Sequence, residues 1–289
     1  MDWLNAVVQG VLLGGQYALI ACGLSLVFGV MRIVNLAHGA LAVAAAYLTL
    51  LVVEQTPLPL PVALVVAVLV FAVVGYLLQR VLLNRSLGQG ELAPLLVTFG
   101  VSVVLVNLLQ ELATANSRSI SIGSLGTSSV TLADGLSLGV FSLLTFAIAV
   151  AVIGAIQLFL ARTATGRAMR ATSDDPGAAR LMGIDDRHVY GLATAIAVGS
   201  VAIAGAFLGM STQFTPGYGD LVLIFAFEAV IIGGLGSLWG TFLGGLVLGV
   251  AQTVGAQVDP AYGVLVGHLV FLAVLAFRPS GLMPRMVTA

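Results

Sequence analysis

Long apolar runs follow one another along most of the chain, and they limit its possible folds more than any other feature does. A run of about 20 apolar residues is long enough, as a helix, to span the hydrocarbon core of a bilayer. The composition agrees, since 60% of the residues are hydrophobic and only 8% are charged. The sequence therefore predicts an all-α integral membrane protein, organised as a single transmembrane domain over residues 1–289 with no separate soluble domain.

Nine runs are candidates for membrane spans, and together they predict a polytopic bundle of eight or nine transmembrane helices, some of them broken. Their predicted bounds are Ala6–Val30, Leu36–Val53, Pro61–Gln79, Leu92–Leu112, Leu136–Leu160, Val189–Met210, Leu221–Leu235, Leu238–Val258 and Tyr262–Phe277. The seventh run is short and broken by glycines, so a re-entrant segment is an alternative to a full crossing there. The first run has no basic leader, and we expect it to be retained rather than cleaved as a signal peptide.

The arginines predict the orientation, because short cytoplasmic loops collect Arg and Lys. Nine crossings from an outside N-terminus leave only Arg118 outside and put the C-terminus in the cytoplasm. The ten arginines placed inside are Arg32, Arg80, Arg85, Arg162, Arg167, Arg170, Arg180, Arg187, Arg278 and Arg285. This split also predicts that the segment from Leu221 to Val258 crosses the membrane twice or not at all.

The source of energy is limited by a missing residue type, since the chain contains no lysine. A Walker A loop needs its lysine to reach the nucleotide phosphates, so ATP-driven transport would require a separate ATPase subunit. A secondary transporter or channel would need no ATPase but would need buried ionisable groups for ion coupling. Glu228 is the one carboxylate deep in an apolar run, and a hydrogen-bonded structural role or a place facing an aqueous cavity are alternatives for it.

The first predicted helix break lies in GVMRIVNLAHGALAVAAAY, residues 29–47. Asn35 and His38 interrupt an apolar region, and their spacing of three predicts that they share one helical face. Gly39 loosens the backbone beside them. One interpretation is a kink that lines the route of a solute, because broken membrane helices are tolerated where they line a cavity or are buried in protein. The other is an ordinary cytoplasmic turn that Asn35 caps.

The second predicted break lies in EAVIIGGLGSLWGTFLGGLVLG, residues 228–249. Its glycines recur every four residues, which gives smooth helix faces and lets backbones approach closely. Gly233 and Gly234, followed by Ser237, also favour a broken helix with free backbone donors.

The third feature is a polar loop, residues 161–188, whose stretch from Arg162 to Arg187 carries nine of the 23 charged residues. Asp174 and Asp175 precede Pro176, and Gly183 follows seven residues later, which predicts a short capped helix. Arg180 near its end agrees with the helix dipole. We expect the helix to expose four small or apolar residues to a partner's groove, although it could instead lie on lipid or on its own bundle. These four residues are Ala178, Ala179, Leu181 and Met182.

Other classes of protein find little support. An intramembrane serine protease would have to pair Ser237 with His268, but no glycine directly follows the serine as it does in a rhomboid-type site. The three histidines lie far apart in sequence and there is no cysteine pair, so no metal site is predicted. Cys22 lies alone in the first run, where we expect it to be a small packing residue.

The three motifs together resemble the LivH-type permeases of branched-chain amino acid ABC importers, over essentially the whole chain and in the same order. The resemblance implies the fold of a type II ABC importer permease in the bacterial inner membrane, with no catalytic residues, cofactor or metal of its own. The implied partners are a related LivM-type permease, two cytoplasmic ATPases of the LivG and LivF type that bind the ATP, an extracytoplasmic substrate-binding protein and the lipid bilayer, with no nucleic acid. Relatives import urea, short amides or aromatic acids, so these solutes are alternatives to branched-chain and other hydrophobic amino acids.

The resemblance also implies roles for particular residues. The run from Asn35 to Gly39 matches the family's Asn-Leu/Met-Ala-His-Gly signature, and the late glycines match its second signature. The implied translocation-pathway residues are Asn35, His38, Gly39, Glu228, Gly233, Gly234 and Ser237. The run from Gly166 to Ile184 matches the loop that docks on an ATPase as a coupling helix. The implied coupling residues are Gly166, Arg167, Arg170, Asp174, Asp175, Ala178, Ala179, Arg180, Leu181, Met182 and Gly183.

Overall fold

The structure, a computed structural model, describes residues 2–90, 92–133 and 136–283, and these are mostly helical. The first half contains α1 (Asp2–Met31), α2 (His38–Gln55), α3 (Leu60–Leu77), a π-helical turn (Leu78–Leu83), α4 (Asn84–Ser86) and α5 (Leu92–Ala113). The second half contains α6 (Val140–Arg162), α7 (Ala164–Asp174), α8 (Pro176–Leu181), α9 (Asp186–Ser211), α10 (Gly219–Gly233), α11 (Leu238–Val258) and α12 (Tyr262–Phe277). Short 3₁₀ turns cover Gly123–Gly126 and Pro216–Tyr218.

The number of candidate spans confirms the predicted bundle. Within the described ranges, eight helices are long and apolar enough to cross a membrane, and α12 is a shorter apolar helix. The predicted bounds of the last two spans, Leu238–Val258 and Tyr262–Phe277, are those of α11 and α12. The segment from Leu221 to Val258 forms two separate helices, α10 and α11. Arg285, which the orientation argument used, lies outside the described residues.

Two predicted boundaries are clearly wrong, since the third span continues past Gln79 to Ser86 and the fifth begins at Val140 rather than at Leu136. The four residues before it form strand β2 (Leu136–Gly139), which pairs antiparallel with β1 (Ser129–Ala133). Leu138 lies opposite Val130 in this hairpin. An apolar run that leads directly into a helix looks like part of the span, although here it satisfies its backbone groups in a ladder instead.

The helices form two groups that differ in burial. The inner helices are α1, α2, α9, α10 and α11, and the outer helices are α3, α5, α6 and α12. In α9, 78% of the most apolar 18-residue stretch is buried inside the protein, whereas in α5 only 17% is. The main core accordingly draws its buried residues mostly from the inner group, and the outer helices leave large leucine and valine faces exposed.

Small residues set the spacing of the inner helices. Gly245 on α11 faces Gly14 on α1, and a Cβ atom added to Gly245 would lie 2.7 Å from the Gly14 carbonyl oxygen. A Cβ added to Gly205 on α9 would overlap the backbone of Ala42 on α2. Without a hydrophobic force between helices in lipid, such close backbone packing is a main source of helix association. The predicted role of the late glycines in close packing is confirmed.

Candidate functional site: two helix breaks and a polar loop

The first helix break separates α1 from α2 and covers residues 32–37. Arg32 has a φ of 55°, which turns the chain away from the axis of α1. The Ala37 N–H then donates to Asn35 Oδ1 at 3.0 Å, and the Leu36 N–H donates to Thr98 Oγ1 at 3.1 Å. The break is therefore real and its backbone donors have side-chain acceptors. Asn35 stabilises this turn but does not cap a helix, since the N-cap position of α2 is Ala37 and has no side-chain capping bond, so the N-cap predicted at Asn35 is wrong.

The prediction that Asn35 and His38 share one helical face is wrong, since Asn35 lies in the break and α2 begins at His38. Both side chains are buried inside the single chain. The His38 ring bonds through Nε2 to the carbonyl oxygen of Ile20 at 2.8 Å, while its Nδ1 has no hydrogen-bond partner within the described part of the chain. Gly39 packs directly on the backbone of Gly219, where a side chain would overlap it. These residues fix the contact of α2 with α1 and α10, and their contact with a solute stays a prediction.

The second helix break separates α10 from α11 at residues 234–237 and confirms the predicted break. Gly234 and Gly236 have φ angles of 109° and 80°, which are strained for any residue with a side chain. Ser237 Oγ accepts from the Gly240 N–H at 3.1 Å and so caps α11. The Ser237 N–H donates to the Gly234 carbonyl oxygen at 3.1 Å. The expected free donors are therefore absent at Ser237 and Gly240, because the break folds into a capped turn.

The C-terminal segment closes this break from one side. The N–H groups of Leu282 and Met283 donate to the carbonyl oxygens of Ile232 and Gly233, at 2.8 and 2.9 Å. These are two of the carbonyls that a helix end leaves without partners. The end of α10, including Gly233, is thus held by a neighbouring chain segment.

Glu228 lies on α10, buried, and its partner is His268 on α12. The Glu228 Oε1 atom forms a hydrogen bond with His268 Nδ1, and Oε2 has no partner among the described residues. Nearby, the Tyr17 hydroxyl donates to Gln252 Oε1 at 2.5 Å. The hydrogen-bonded role considered for Glu228 is therefore observed. The sequence carried one signal for its partner, since His268 is the only histidine in the last apolar run.

The serine protease alternative has no geometric support. Ser237 Oγ caps α11, whereas His268 bonds to Glu228, and no hydrogen bond joins the two in the part of the chain that the structure describes. The third histidine, His188, bonds through Nδ1 to the Tyr76 hydroxyl at 2.9 Å.

The polar loop contains two helices, and the sequence interpretation missed the first, α7. Thr163 Oγ1 caps it by accepting from the Gly166 N–H at 2.9 Å. Gly166 is required there, since a Cβ would lie 2.5 Å from the backbone of Leu160. Met169 is the only large buried apolar residue on α7, and the segment is polar on average although its two faces differ strongly, so its composition indicated a loop. Asp174 ends α7 and does not cap the following helix as expected.

The second helix of the loop, α8, confirms the predicted short helix. Asp175 Oδ1 accepts from the N–H groups of Gly177 and Ala178 at 2.8 and 3.0 Å, and Gly183 follows the helix with a φ of 83°. Leu181 and Met182 are 90% and 83% exposed.

One residue of the expected exposed set behaves differently. Ala179 is buried, because a helix this short still turns one side toward the bundle, so the prediction of its exposure is wrong. Arg180 bonds to Asp186 Oδ2 through Nε at 3.0 Å and through Nη2 at 2.5 Å. This hydrogen bond and charge raise the pKa of the Arg180 guanidinium. The pair fastens the end of α8 to the start of α9 and leaves Leu181 and Met182 as its outward surface.

A cavity of about 220 Å³ joins the second break to the loop. Ser237 and Trp239 line it from the break, Arg170 from α7 and Gly29 from α1. Ser173 on α7 donates its hydroxyl to the Gly29 carbonyl oxygen at 2.6 Å. A Cβ on Gly29 would lie 3.1 Å from the Gly236 carbonyl oxygen. The end of α1 is therefore in contact with the loop and with the second break at once.

Comparisons with known proteins identify the family of this chain. Residues 6–275 fit the sequence profile of the family described as branched-chain amino acid transport system permease component. The permease protein BraD of Pseudomonas aeruginosa, named for high-affinity branched-chain amino acid transport, is 32% identical over 98% of this chain and 96% of its own length. LivH of Escherichia coli K12, named for the same transport, is 28% identical over the same shares. A solved chain of PsaBC from Streptococcus pneumoniae aligns with 94% of this chain and 90% of its own length, with a TM-score of 0.49 and 13% identity. With a family profile that covers nearly the whole chain, this protein belongs to the permease components of branched-chain amino acid transport systems.

Proposed function

We propose that this chain is the transmembrane permease subunit of a binding-protein-dependent ABC importer that carries branched-chain amino acids into the cell. The names of its relatives support the solute. The observation that carries the coupling role is α8, a capped helix that presents Leu181 and Met182 outward. Two large apolar side chains at a loop between membrane helices suit insertion into a groove on a partner.

The partners follow from what this chain lacks and from what its relatives' names imply. Because it has no lysine, it holds no Walker A loop, and two ATPases would bind ATP on the cytoplasmic side. A LivM-type permease would form the other half of the pathway, and an extracytoplasmic binding protein would deliver the solute. This requires the N-terminus outside and α8 in the cytoplasm, in the orientation that the arginines favour.

The route of mechanical coupling runs through α7. ATP-driven closure of the ATPases would move α8, and the Thr163-capped α7 would follow because it precedes α8 directly. The Ser173 hydroxyl would transmit this displacement to the Gly29 carbonyl, and Gly29 would transmit it to Gly236 in the second break. A small shift can be amplified this way because packed interfaces switch between arrangements instead of deforming continuously.

The translocation pathway would pass along the breaks. Ser237 lines the cavity beside the loop, with Gly233 and Gly234 at the bend of the same break. Asn35, His38 and Gly39 hold the first break, and Glu228 supplies the carboxylate nearest the middle of α10. In the single chain most of these groups are buried, so a change in the packing of the inner helices would have to expose them to the solute.

The decisive experiment compares two double variants of the complete importer in proteoliposomes. Leu181→Ser/Met182→Ser removes the outward apolar surface of α8, and we expect at least a tenfold loss of ATP-dependent leucine uptake together with loss of the ATPases on purification. The matched control is Leu58→Ser/Leu125→Ser, which removes two exposed leucines outside the loop. It should leave uptake and co-purification unchanged.

Two outcomes would contradict the proposal. Leucine uptake by the chain in vesicles without ATP would indicate a secondary transporter or channel and would move attention to Glu228. Uptake of urea or short amides, without uptake of leucine, would support the importer role but show that the proposed solute is wrong.

A further inference from the structure

A groove of about 680 Å³ lies where the segment after α3 meets the start of α9. Three arginines line it, Arg80, Arg85 and Arg187, together with Asn84 and Gln89. A second cavity of about 290 Å³ adjoins it and reaches Pro176 and Arg180 at α8. The proposed transport mechanism uses none of the three groove arginines.

The π-helical turn explains how two of these arginines come to one groove. Residues five apart lie about 140° from each other around an α-helix. A π-helix instead pairs residue i with i+5, so that residues with this spacing stack along the axis. The N–H of Asn84 donates to the Gln79 carbonyl oxygen in this way. Arg80 and Arg85 therefore line the same side, and π turns of this kind are frequent at functional sites.

A hydrogen-bond network centred on a buried glutamine holds the floor of the groove. Asn84, half-buried, accepts through Oδ1 from Gln79 Nε2 at 3.0 Å and donates through Nδ2 to the Arg187 carbonyl oxygen at 3.3 Å. Gln79 is fully buried, and its Oε1 accepts from the Thr194 hydroxyl at 2.9 Å. Hydrogen bonds therefore join the two segments that form the groove, the one after α3 and the start of α9.

Positive charge in the groove exceeds the negative charge available to it. Asp186 is engaged by Arg180, and Asp185, which caps α9 through Oδ1, lies 3.8 Å from Arg80 through Oδ2, with both side chains exposed. Such an exposed pair neutralises little. Arg187 also lies in the first turn of α9, where the helix dipole is already positive. Four arginines and one aspartate, Asp186, are among the described residues that line the two cavities, which favours an anionic ligand.

The surface beside the groove identifies the class of anion. Leu77, Val81 and Leu82, on the same helical segment, are 51%, 47% and 41% exposed. This apolar wall continues along α3, one of the outer helices. A free phosphate or an acidic peptide would gain nothing from such a wall, whereas a phospholipid needs a basic site for its headgroup and an apolar surface for its chains.

We propose that this groove binds the phosphate-bearing headgroup of an anionic phospholipid, whose acyl chains lie against the end of α3. The lipid comes from the cytoplasmic leaflet if the orientation proposed above holds, but its binding does not depend on the solute carried. A headgroup in the groove would also border Pro176 and Arg180 and so support the base of α8.

The test uses the importer purified in mild detergent, with phosphatidylglycerol as the probe. Native mass spectrometry counts retained lipid, and thermal unfolding measures protection by added phosphatidylglycerol. Each arginine near a lipid headgroup contributes roughly a fivefold change in affinity, so Arg85→Gln/Arg187→Gln should weaken binding by roughly 25-fold. The charge-matched control, Arg162→Gln/Arg278→Gln, removes two boundary arginines elsewhere and should leave binding within about twofold of the original.

Further controls distinguish a phospholipid from a free phosphate ion and allow for a variant that does not fold. Phosphatidylcholine and inorganic phosphate should not protect, and equal protection by inorganic phosphate would overturn the lipid in favour of a free anion. If both double variants lost lipid binding equally, the effect would be one of general surface charge, and the proposed site would be wrong. If the test variant unfolds, Arg85→Gln alone should still weaken lipid binding about fivefold. Loss of ATPase co-purification with unchanged lipid binding would assign the groove to the ATPase.

Discussion

The inner and outer helices follow different packing rules. On the inner helix α9, a side chain at Gly205 would overlap the backbone of Ala42, whereas on the outer helix α5 a side chain at Gly100 would meet nothing within 4 Å. The inner group also holds most of the buried polar side chains, such as His38, Thr194 and Glu228. The outer group shows broad faces of leucine and valine.

This difference shows what solvent each helix meets. Lipid is as apolar as leucine, so a helix that faces lipid can be apolar on nearly every side. A helix that faces other helices gains more from close backbone contact and from hydrogen bonds. In this protein the most strongly apolar helices are therefore the least buried, and the two breaks and the contact with the loop belong to the inner group.

The largest effect on stability is expected at Gly205, where the close packing of the inner helices can be tested directly. Gly205→Leu should destabilise the chain by more than about 3 kcal/mol, because the clash is with the backbone of α2, which cannot rotate away. The matched variant on an outer helix, Gly100→Leu, should be neutral or slightly stabilising, since leucine is the better helix former. Yield of folded protein and thermal midpoint in detergent measure both. Equal effects at the two sites would end the distinction between the groups.

The next effect concerns the intramembrane pair between α10 and α12. Glu228→Leu leaves His268 without its partner and should cost about 1–3 kcal/mol, while Glu228→Leu/His268→Leu should recover much of this loss. A double-mutant cycle of thermal or chemical unfolding gives the coupling between the two groups. Glu228→Gln keeps a hydrogen-bonding side chain and should retain ATP-driven uptake. If it abolished uptake in a stably folded importer, ion coupling at Glu228 would replace the structural role.

Several elements of the fold could be predicted from the sequence, although the division into inner and outer helices was not among them. Apolar length indicated the spans, and glycine spacing indicated close packing in α11. The second break followed from Gly233 and Gly234, and α8 followed from Asp175, Pro176 and Gly183, since caps and breaks depend on a few local residues. Most of the correct predictions therefore rest on residues that are close together in the sequence.

What could not be predicted depended on contacts between distant segments. The burial of His38 follows from the carbonyl of Ile20, 18 residues away in the sequence. The partner of Glu228 lies 40 residues away, on α12. Helix α7 is held against the bundle by Met169 and Ser173, and its polar composition made it look like loop in the sequence. Hydropathy ranks the outer helices α3, α5 and α6 as the most apolar, but it does not show which of the inner helices contact each other.

A smaller effect tests the side-chain hydrogen bond that Ser173 on α7 makes to Gly29 on α1. Ser173→Ala removes the bond to the Gly29 carbonyl and should cost about 1 kcal/mol. If α7 transmits the motion of α8, this variant should also lower leucine transported per ATP hydrolysed by about twofold or more, in keeping with the loss of one such bond. The neighbouring Thr172→Ala is the control, since the Thr172 hydroxyl bonds to Ala168 within α7. A loss of stability without a change in the transport ratio would make Ser173 a structural residue only.

The smallest effect on stability is expected for substitutions on the outer helices. It should be measured both in the isolated chain and in the assembled importer. Leu69 on α3 and Leu96 on α5 are 62% and 69% exposed, so Leu69→Ala and Leu96→Ala should each change the stability of the isolated chain by less than about 0.5 kcal/mol. The same variants are then measured in the assembled importer by thermal unfolding. A helix that faces lipid should stay insensitive, whereas one that meets the second permease should lose about 2 kcal/mol or more, because its leucine is then buried. A large effect in the isolated chain would place that leucine in the core and break the comparison, while a large effect only after assembly would identify the outer helix that the partner covers.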